Sequence, residues 1–330
     1  YTSNAGRMDL RQAICDNLER LYGVKYDPAT EVIITVGGSE ALYLSATALL
    51  DPGDEVIIPT PCFVSYSAEV ILAGGIPVEI PSTMEDNFDI DPEKIEAAIT
   101  PRTKAILLGF PNNPTGAVAT RDRLLEIARM AEEHDLVVIS DEIYDRLVYG
   151  DHKHVCFPSL PDTRKRTLLL GGFSKDYAMT GWRIGYAIGP QNILGGLLRI
   201  HQYTVMCSPS TSQAAAVTAI RECDPHVEEM RKEYDRRRRL IVDGLNKIGL
   251  PTFEPKGAFY AFPNIKAFGK SSYVFAMEIL TETHVALTPG SAFGKMGDGY
   301  LRIPFAESEE VLQEAIDRIK AYIIKAYPNL

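Results

Sequence analysis

The residues best suited to covalent chemistry lie between Thr167 and Gly189, in the stretch TLLLGGFSKDYAMTGWRIGYAIG. An apolar run typical of a β-strand leads to Lys175, and Arg183 follows eight positions later. A lysine in this position is usually a solvated surface residue, but an amine held at the end of a strand can also form a Schiff base with an aldehyde. We therefore predict that Lys175 carries a covalently bound aldehyde cofactor and that Arg183 holds the phosphate of that cofactor.

The elements that must position this lysine alternate along the chain. Apolar runs typical of strands cover 31–38, 55–60, 76–81, 104–110 and 136–140. Segments with helical periodicity cover 9–22, 39–50, 65–75, 91–99 and 120–135. Such alternation predicts an α/β fold, with a largely parallel sheet between two helical layers.

The character of the sequence changes after Gly189, where helical segments lead to a compact α+β region. A long charged helix is expected at roughly 225–248. We predict a three-layer αβα large domain over residues 1–224 and a smaller C-terminal α+β domain over residues 225–330.

Side chains that could take part in catalysis or ligand binding follow the predicted strands. They are Gly38 and Ser39, Phe63, Asn113, Asp141 with Tyr144, and Lys175. In parallel sheets, ligands bind outside the carboxyl ends of the strands, so we expect these residues to meet. Gly38 and Ser39 stand where a strand becomes a helix, and a helix N-terminus favours anions. The dinucleotide pattern GxGxxG is absent at this turn, which argues against a nicotinamide cofactor.

This set of residues matches the needs of pyridoxal phosphate. Lys175 would take the aldehyde, and Arg183 and the glycine turn would take the phosphate. Asp141 would keep the ring nitrogen protonated, which makes the ring an electron sink. Tyr144 and Asn113 would face the ring oxygen. Taken singly, Asp141 is equally consistent with a helix cap, and Tyr144 with a packed aromatic residue.

The chain also resembles a known family. The motifs VGGSEAL, PTPCFVSY, PNNPTGAV, ISDEIYDRLVY, GGFSKDYAMTGWRIGY, GAFYAFP and YLRIPFA run in order across nearly the whole sequence. They resemble those of the class I aminotransferases, which are fold-type I pyridoxal-phosphate enzymes. The similarity is greatest to the aromatic- and broad-specificity members typical of bacteria and archaea.

The resemblance implies roles at the cofactor. It implies that Lys175 is the catalytic lysine, which also moves a proton between the substrate α-carbon and the cofactor. It implies cofactor contacts by Gly38, Ser39, Phe63, Asn113, Asp141, Tyr144, Ser174 and Arg183. Phe63 would stack on the ring, and Ser174 would be an additional phosphate ligand.

The resemblance also implies roles at the substrate and between subunits. Arg302 would grip the substrate α-carboxylate with a bidentate fork, and Asn113 would touch the same group. Tyr1 matches a tyrosine that reaches the phosphate of the partner subunit, which implies a homodimer with shared active sites. A cis bond between Asn113 and Pro114 is expected on the same ground.

Two departures from the family pattern stand out. Gly172 occupies a position where many members have a phosphate-binding serine, so that contact is expected to be lost or to move to Ser174. The family also has an N-terminal arm and a glycine-containing strand before the YTSNAG position. The sequence begins at Tyr1 and does not include them, and we expect full activity to depend on them.

Composition excludes several other classes of protein. The formal net charge of −10 disfavours nucleic acid and anionic membranes, and no apolar run approaches the roughly 20 residues of a membrane helix. Arg236 to Arg239 are expected on a solvated helix with ion pairs. Five cysteines without a CxxC pair fit a reducing cytoplasm, and the histidine spacing predicts no metal site.

The substrate is the least constrained part of the prediction. The dicarboxylate-specific branch has an arginine in the segment that corresponds to 201–208, and none is present there. We therefore expect aromatic or broad L-amino acid donors, with a 2-oxo acid such as 2-oxoglutarate as acceptor. A carbon–sulfur β-lyase on the same scaffold is the first alternative, and a pyridoxal-phosphate-binding regulatory domain is the second.

Overall fold

A computed structural model describes residues 1–328. Its helices are α1 Met8–Tyr22, α2 Gly37–Leu49, α3 Ser65–Leu72, α4 Pro92–Ala97, α5 Arg121–Glu133, α6 Gln191–Thr204, α7 Ser210–Glu222, α8 Asp224–Lys247, α9 Ser272–Thr283 and α10 Glu309–Ala326. Its strands are β1 Val32–Thr35, β2 Glu55–Thr60, β3 Ile76–Pro81, β4 Thr103–Gly109, β5 Val137–Asp141, β6 Thr167–Gly172, β7 Gly185–Ile188, β8 Tyr260–Ala261, β9 Thr288–Pro289 and β10 Leu301–Pro304.

The first seven strands form one sheet in the order β1-β7-β6-β5-β4-β2-β3. Pairing is parallel except at β7, which runs antiparallel to both of its neighbours, β1 and β6. The predicted largely parallel sheet is thereby confirmed. Because β7 is reversed, its first residues lie at the edge where the other six strands end.

Helices cover both faces of this sheet. Neighbouring residues of a strand point to opposite faces, so Ile57 packs in a cluster with Ile127 of α5, whereas Ile58 packs with Leu42 of α2. Helices α1 and α7 cover the β1 side of the α5 face. The result is the predicted three-layer αβα arrangement.

Local sequence signals fix several helix ends. Asp91 and Thr120 cap α4 and α5, because each side chain accepts from the backbone amide three residues later. Helix α2 begins at Gly37, two residues before the predicted start. Its N-cap residue, Val36, provides no side-chain hydrogen bond, so α2 starts with uncapped amides.

The C-terminal part has a small antiparallel sheet in the order β8-β10-β9. This sheet and helices α8, α9 and α10 share one apolar cluster, which includes Ile241, Phe275, Ile303 and Ile316. Helix α8 begins at Asp224, and the carboxylate of Asp224 lies 3.0 Å from Arg146 and 2.7 Å from Arg20. The division at 224/225 stays a prediction.

The four consecutive arginines lie on α8 and form ion pairs, as expected. Arg236 and Arg239 are exposed and pair with acidic neighbours on α8. Arg238 differs, because it is buried, pairs with Asp235 and Glu254, and stacks 5.5 Å from the Tyr149 ring. Consecutive positions on a helix face different directions, so one of the four had to point inward.

Among the residues described, no helix combines the length and the apolar character needed to cross a membrane.

Candidate active site

A cleft opens at the carboxyl edge of the large sheet. Its lining residues are Gly38, Ser39, Phe63, Tyr66, Pro111, Asn113, Asp141, Ile143, Tyr144, Ser174, Lys175, Thr180, Arg183, Tyr260 and Arg302. Every residue proposed from the sequence is among them except Tyr1. The structure also adds Tyr66, Pro111, Ile143, Thr180 and Tyr260, which sequence reasoning did not single out.

Lys175 follows β6 and reaches into the centre of this cleft. Its Nζ lies 6.0 Å from the centroid of the Tyr144 ring and 5.7 Å from that of Phe259. Burial, together with the positive charges of Arg183 and Arg302, lowers the pKa of the Lys175 amine. A lowered pKa leaves more of the amine neutral, which is the form that attacks a carbonyl.

Asp141 ends β5 and is held by two donors. The Tyr66 hydroxyl donates to Oδ2 at 2.8 Å, and the Ile143 amide donates to Oδ1 at 3.2 Å. Burial nevertheless raises the pKa of Asp141 to about 6. Tyr66 reaches the carboxylate across Gly109, where an added Cβ would lie 2.1 Å from the tyrosine oxygen. The glycine at the end of β4 therefore makes this hydrogen bond possible.

The turn that connects β1 to α2, called the anion turn here, has two features that favour an anion. Gly37 has a φ of +78°, and a Cβ there would lie 2.7 Å from Nη2 of Arg183, so the guanidinium rests against the turn. Arg183 itself has a φ of +48° and its Nη1 donates to the Thr180 carbonyl at 3.0 Å. An uncapped helix start and an arginine thus converge on one point.

Close packing of glycines brings β7 against this turn. A Cβ at Gly185 would lie 2.7 Å from the Gly37 carbonyl carbon. Gly172 pairs with Gly185 across the β6–β7 ladder, and a Cβ at Gly172 would lie 2.9 Å from Cδ1 of Ile143. Ile143 thus occupies the space that a serine at position 172 would need, whereas Ser174 lies nearby in the lining.

Arg302 lies on β10 on the opposite side of the cleft. Its Nη1 donates to Asn113 Oδ1 at 3.0 Å and its Nη2 to Thr288 Oγ1 at 3.3 Å. The guanidinium is sandwiched between the rings of Tyr260 at 4.6 Å and Phe293 at 4.8 Å. Its Nε is buried without a hydrogen-bond partner, as expected of a donor aimed at a ligand.

The remaining predicted residues complete the walls. Tyr144 is buried and its hydroxyl lies 3.0 Å from the Tyr260 hydroxyl. Asn113 is buried beside Arg302, and Phe63 packs edge-on against Tyr66 at 5.8 Å. Ser39 and Ser174 flank the anion turn and the lysine, respectively.

Two expectations concern neighbouring residues. Tyr1 is fully exposed and lies outside the cleft of its own chain, so its expected contact in the partner's site stays a prediction. The cis bonds lie at Thr60–Pro61 and Phe110–Pro111, so the expected cis Asn113–Pro114 bond is wrong. In the loop after β4, the cis bond precedes Pro111, the first of the two prolines, instead of Pro114.

One group of potential metal ligands lies on the surface, away from this cleft. Glu96, Glu133 and His134 are all exposed and have ligand atoms within 4.8 Å of one another. Arg129 lies 3.7 Å from Glu96 and 2.6 Å from Glu133. Ion pairing accounts for this acidic cluster.

The cleft fits pyridoxal phosphate. The missing side chain at Gly37 lets the Arg183 guanidinium lie against the turn, beside the uncapped amides that begin α2. The amine of Lys175, the carboxylate of Asp141 and the hydroxyl of Tyr144 line one continuous wall. The guanidinium of Arg302 lines the same cleft and supplies a second cation there.

Comparisons with known proteins point to one family. A family sequence model described as aminotransferase class I and II matches residues 1–319. An aspartate aminotransferase of Pyrococcus abyssi is 46% identical, over 97% of this chain and 83% of the relative. An aromatic-amino-acid aminotransferase of Thermococcus litoralis is 44% identical, over 97% and 83%.

Solved structures show the same fold. The crystal structure of an aromatic aminotransferase from Pyrococcus horikoshii superposes with a TM-score of 0.97 at 44% identity. The match covers 99% of this chain and 88% of that one.

Proposed function

Since this chain belongs to the class I and II aminotransferase family, we propose that it moves the amino group of an aromatic L-amino acid, with broad tolerance, to a 2-oxo acid such as 2-oxoglutarate. Enzymes of this family use pyridoxal phosphate, which when bound supplies an electron sink for charge that develops at the substrate α-carbon. The observation that carries the proposal is the meeting of Lys175, Asp141, Arg183 and Arg302 in one cleft.

Lys175 has two tasks in this proposal. Its neutral amine, favoured by a lowered pKa, would hold the cofactor aldehyde. With substrate bound, the same amine would act as a base that takes the proton of the substrate α-carbon and holds it at Nζ. The Tyr144 and Phe259 rings lie 6.0 and 5.7 Å from Nζ and place apolar surface beside the amine.

The carboxylate of Asp141 pairs with the ring nitrogen of the cofactor. Two hydrogen bonds fix its orientation, and its burial means that a positive partner is strongly favoured. At the other end, Arg183 and the amides that begin α2 bind the phosphate, assisted by Ser39 and Ser174. Tyr144 and Asn113 face the ring oxygen, and Phe63 stacks on the ring.

Arg302 binds the substrate α-carboxylate, with Asn113 beside it. The two aromatic rings and the Asn113 oxygen hold the guanidinium in one orientation, so little conformational entropy is lost when a carboxylate arrives. A fixed carboxylate places the α-carbon near the amine that must remove its proton.

Donor preference is inferred from the walls of the cleft. Phe63, Ile143 and Tyr260 present apolar surface, and the cations in its described lining are Lys175, Arg183 and Arg302. Each of these cations already has a task, so none remains for a second substrate carboxylate. This supports aromatic donors over aspartate.

We further propose a homodimer in which Tyr1 contacts the phosphate in the partner's site. Tyr1 is fully exposed in its own chain, which leaves it available for such a contact. We also propose that the enzyme acts in the cytoplasm, because its five cysteines are free.

Steady-state kinetics test the proposal. Purified protein with added pyridoxal phosphate is assayed with 2-oxoglutarate and either phenylalanine or aspartate, and glutamate is measured. We expect kcat/KM for phenylalanine to exceed that for aspartate by about tenfold or more. A preference for aspartate would contradict the donor assignment. Release of pyruvate and ammonia from cystathionine without a 2-oxo acid would instead indicate a β-lyase.

A further inference from the structure

Tyr260 lies between two residues that have separate tasks in the proposed function. It begins β8, next to β10, where it pairs with Pro304. Its side chain is 6% exposed. From this position it contacts both Arg302, the proposed carboxylate ligand, and Tyr144, the proposed ring-oxygen contact.

The ring of Tyr260 supports Arg302. The guanidinium carbon lies 4.6 Å from the ring centroid, within the range of a cation–π contact. Phe293 covers the other side at 4.8 Å. Because these aromatic contacts are buried, they limit Arg302 to one orientation with its unpartnered Nε enclosed.

The hydroxyl of Tyr260 holds Tyr144. The two oxygens are 3.0 Å apart, and the rings meet edge to face at 6.0 Å. Burial raises the pKa of both phenols, so each keeps its proton. If the Tyr260 hydroxyl donates, the Tyr144 hydroxyl can donate its own proton to another group. A hydroxyl that accepts one hydrogen bond becomes a stronger donor in the next one.

Other charged and titratable groups face this pair from each packed element. Asp141 of β5 and Arg302 of β10 act on Tyr144, and the Lys175 amine lies over its ring. On the α8 side, the Tyr234 ring packs at a tilt against Phe259, with centroids 5.5 Å apart. None of these groups makes a hydrogen bond to the Tyr260 hydroxyl within the described structure.

We infer that Tyr260 is a positioning residue: its ring fixes the arginine that binds substrate carboxylate, and its hydroxyl donates to Tyr144, whose own proton then faces the cofactor ring oxygen. The inference rests on the proposed function and extends it. One side chain thereby couples the carboxylate position to the ring-oxygen contact.

Tyr260→Phe tests the hydroxyl alone. The readout is the midpoint of the pH-dependent change in the visible absorbance of the bound cofactor. A donor at the ring oxygen stabilises the more negative, deprotonated form, so weakening that donor should raise the midpoint by about 0.5 pH unit. The ring remains in place, so the dissociation constant of 3-phenylpropionate, a carboxylate probe, should change by less than about twofold.

Tyr260→Leu tests the ring. It should raise the midpoint by the same amount as Tyr260→Phe and also weaken 3-phenylpropionate binding by about tenfold, because Arg302 loses one of its two aromatic supports. If the leucine variant does not fold, the phenylalanine variant alone decides the role of the hydroxyl.

Tyr234→Phe is the matched control, since it removes a hydroxyl from the same aromatic cluster without touching Tyr144. It should leave both readouts unchanged. An unshifted midpoint in Tyr260→Phe, or an equal shift in Tyr234→Phe, would overturn the inference. Failure of the proposed function itself looks different, because the wild-type protein would then show no cofactor absorbance band to titrate.

Discussion

Asp141 carries its charge where burial opposes it. The carboxyl has a folded pKa of about 6, against roughly 4 in an unfolded chain. The folded state therefore binds more protons between these pH values, and stability falls as pH rises through this window. The buried carboxylate therefore lowers the stability of the cofactor-free protein at neutral pH. The same burial makes the carboxylate attract a protonated ring nitrogen strongly.

Asp141→Asn should raise stability and lower activity. In cofactor-free protein at pH 8, the free energy of unfolding should rise by about 1–3 kcal/mol, and the gain should fade near pH 4. Transamination should drop by about 100-fold or more, because an amide does not keep the ring nitrogen protonated. Urea unfolding at both pH values measures the first effect, with the exposed Asp243→Asn as control. A less stable Asp141→Asn at pH 8 would refute this reasoning.

Arg302→Lys should show whether the substrate carboxylate needs a bidentate partner or only a positive charge. Lysine keeps the positive charge but cannot form the bidentate pair or fill the slot between Tyr260 and Phe293. We expect kcat/KM for the amino donor to fall by about 100-fold, mostly through KM. Arg318→Lys, on α10, is the control and should match wild type. An unchanged KM in Arg302→Lys would remove Arg302 from the carboxylate site.

Sequence reasoning found the residues that bear charge or follow strand ends, and missed those that act through other side chains. Lys175 and Asp141 could be predicted because their chemistry is evident from residue type and position. Tyr66, on α3, could not, because its role depends on Gly109 of β4, whose missing side chain lets the tyrosine reach Asp141. Tyr260 was quoted only within the motif GAFYAFP, and nothing local marks its contact with Tyr144.

At the scale of elements, the start of α2 is tied to α6. The Glu40 carboxylate accepts from the Val36 amide at the turn, and its other oxygen lies 2.7 Å from Nδ1 of the buried His201. One acidic side chain therefore holds the turn at which the phosphate is proposed to bind. A hydrogen bond from the α6 side stabilises this carboxylate when Nδ1 of His201 donates.

Glu40→Ala should loosen this turn. We expect the dissociation constant of pyridoxal phosphate to rise by about tenfold, since one buried hydrogen bond to a charged group is lost. Glu40→Gln keeps an acceptor oxygen and should lose less. Cofactor titration followed by absorbance gives both values, with Thr47→Ala further along α2 as control. Equal affinity for pyridoxal phosphate in Glu40→Ala and wild type would show that the turn keeps its conformation without Glu40.

Element bounds were predictable where apolar runs and caps were strong. Strands β2 and β3 span the residues that their patterns indicate, and Asp91 and Thr120 cap as expected. Strands β8 and β9 have two residues each and exist only through pairing with β10. Periodicity cannot reveal strands that short, and tertiary pairing defines them.

At the scale of the molecule, large apolar side chains remain exposed near the anion turn. At the end of α6, Tyr203 is 86% exposed and Met206 is 47% exposed, and Trp182, next to Arg183, is 48% exposed. Interaction sites are often rich in exposed apolar side chains. It supports the proposed homodimer, in which the partner would cover these residues.

Tyr203→Glu combined with Met206→Glu should break that dimer. Charges buried in an apolar interface are strongly unfavourable, so light scattering after gel filtration should report a monomer. Far-ultraviolet circular dichroism should not change. Leu125→Glu, at an exposed position on α5, should stay dimeric. A double variant that remains dimeric would place the interface elsewhere.

The central claim is that Lys175 is the point of covalent attachment, and one measurement tests it directly. The protein is loaded with pyridoxal phosphate, reduced with borohydride and digested, and the modified peptide is identified by mass spectrometry. The account predicts one reduced adduct, on the peptide that contains Lys175, and none in Lys175→Ala. An adduct on another lysine, or full transaminase activity in Lys175→Ala, would contradict it.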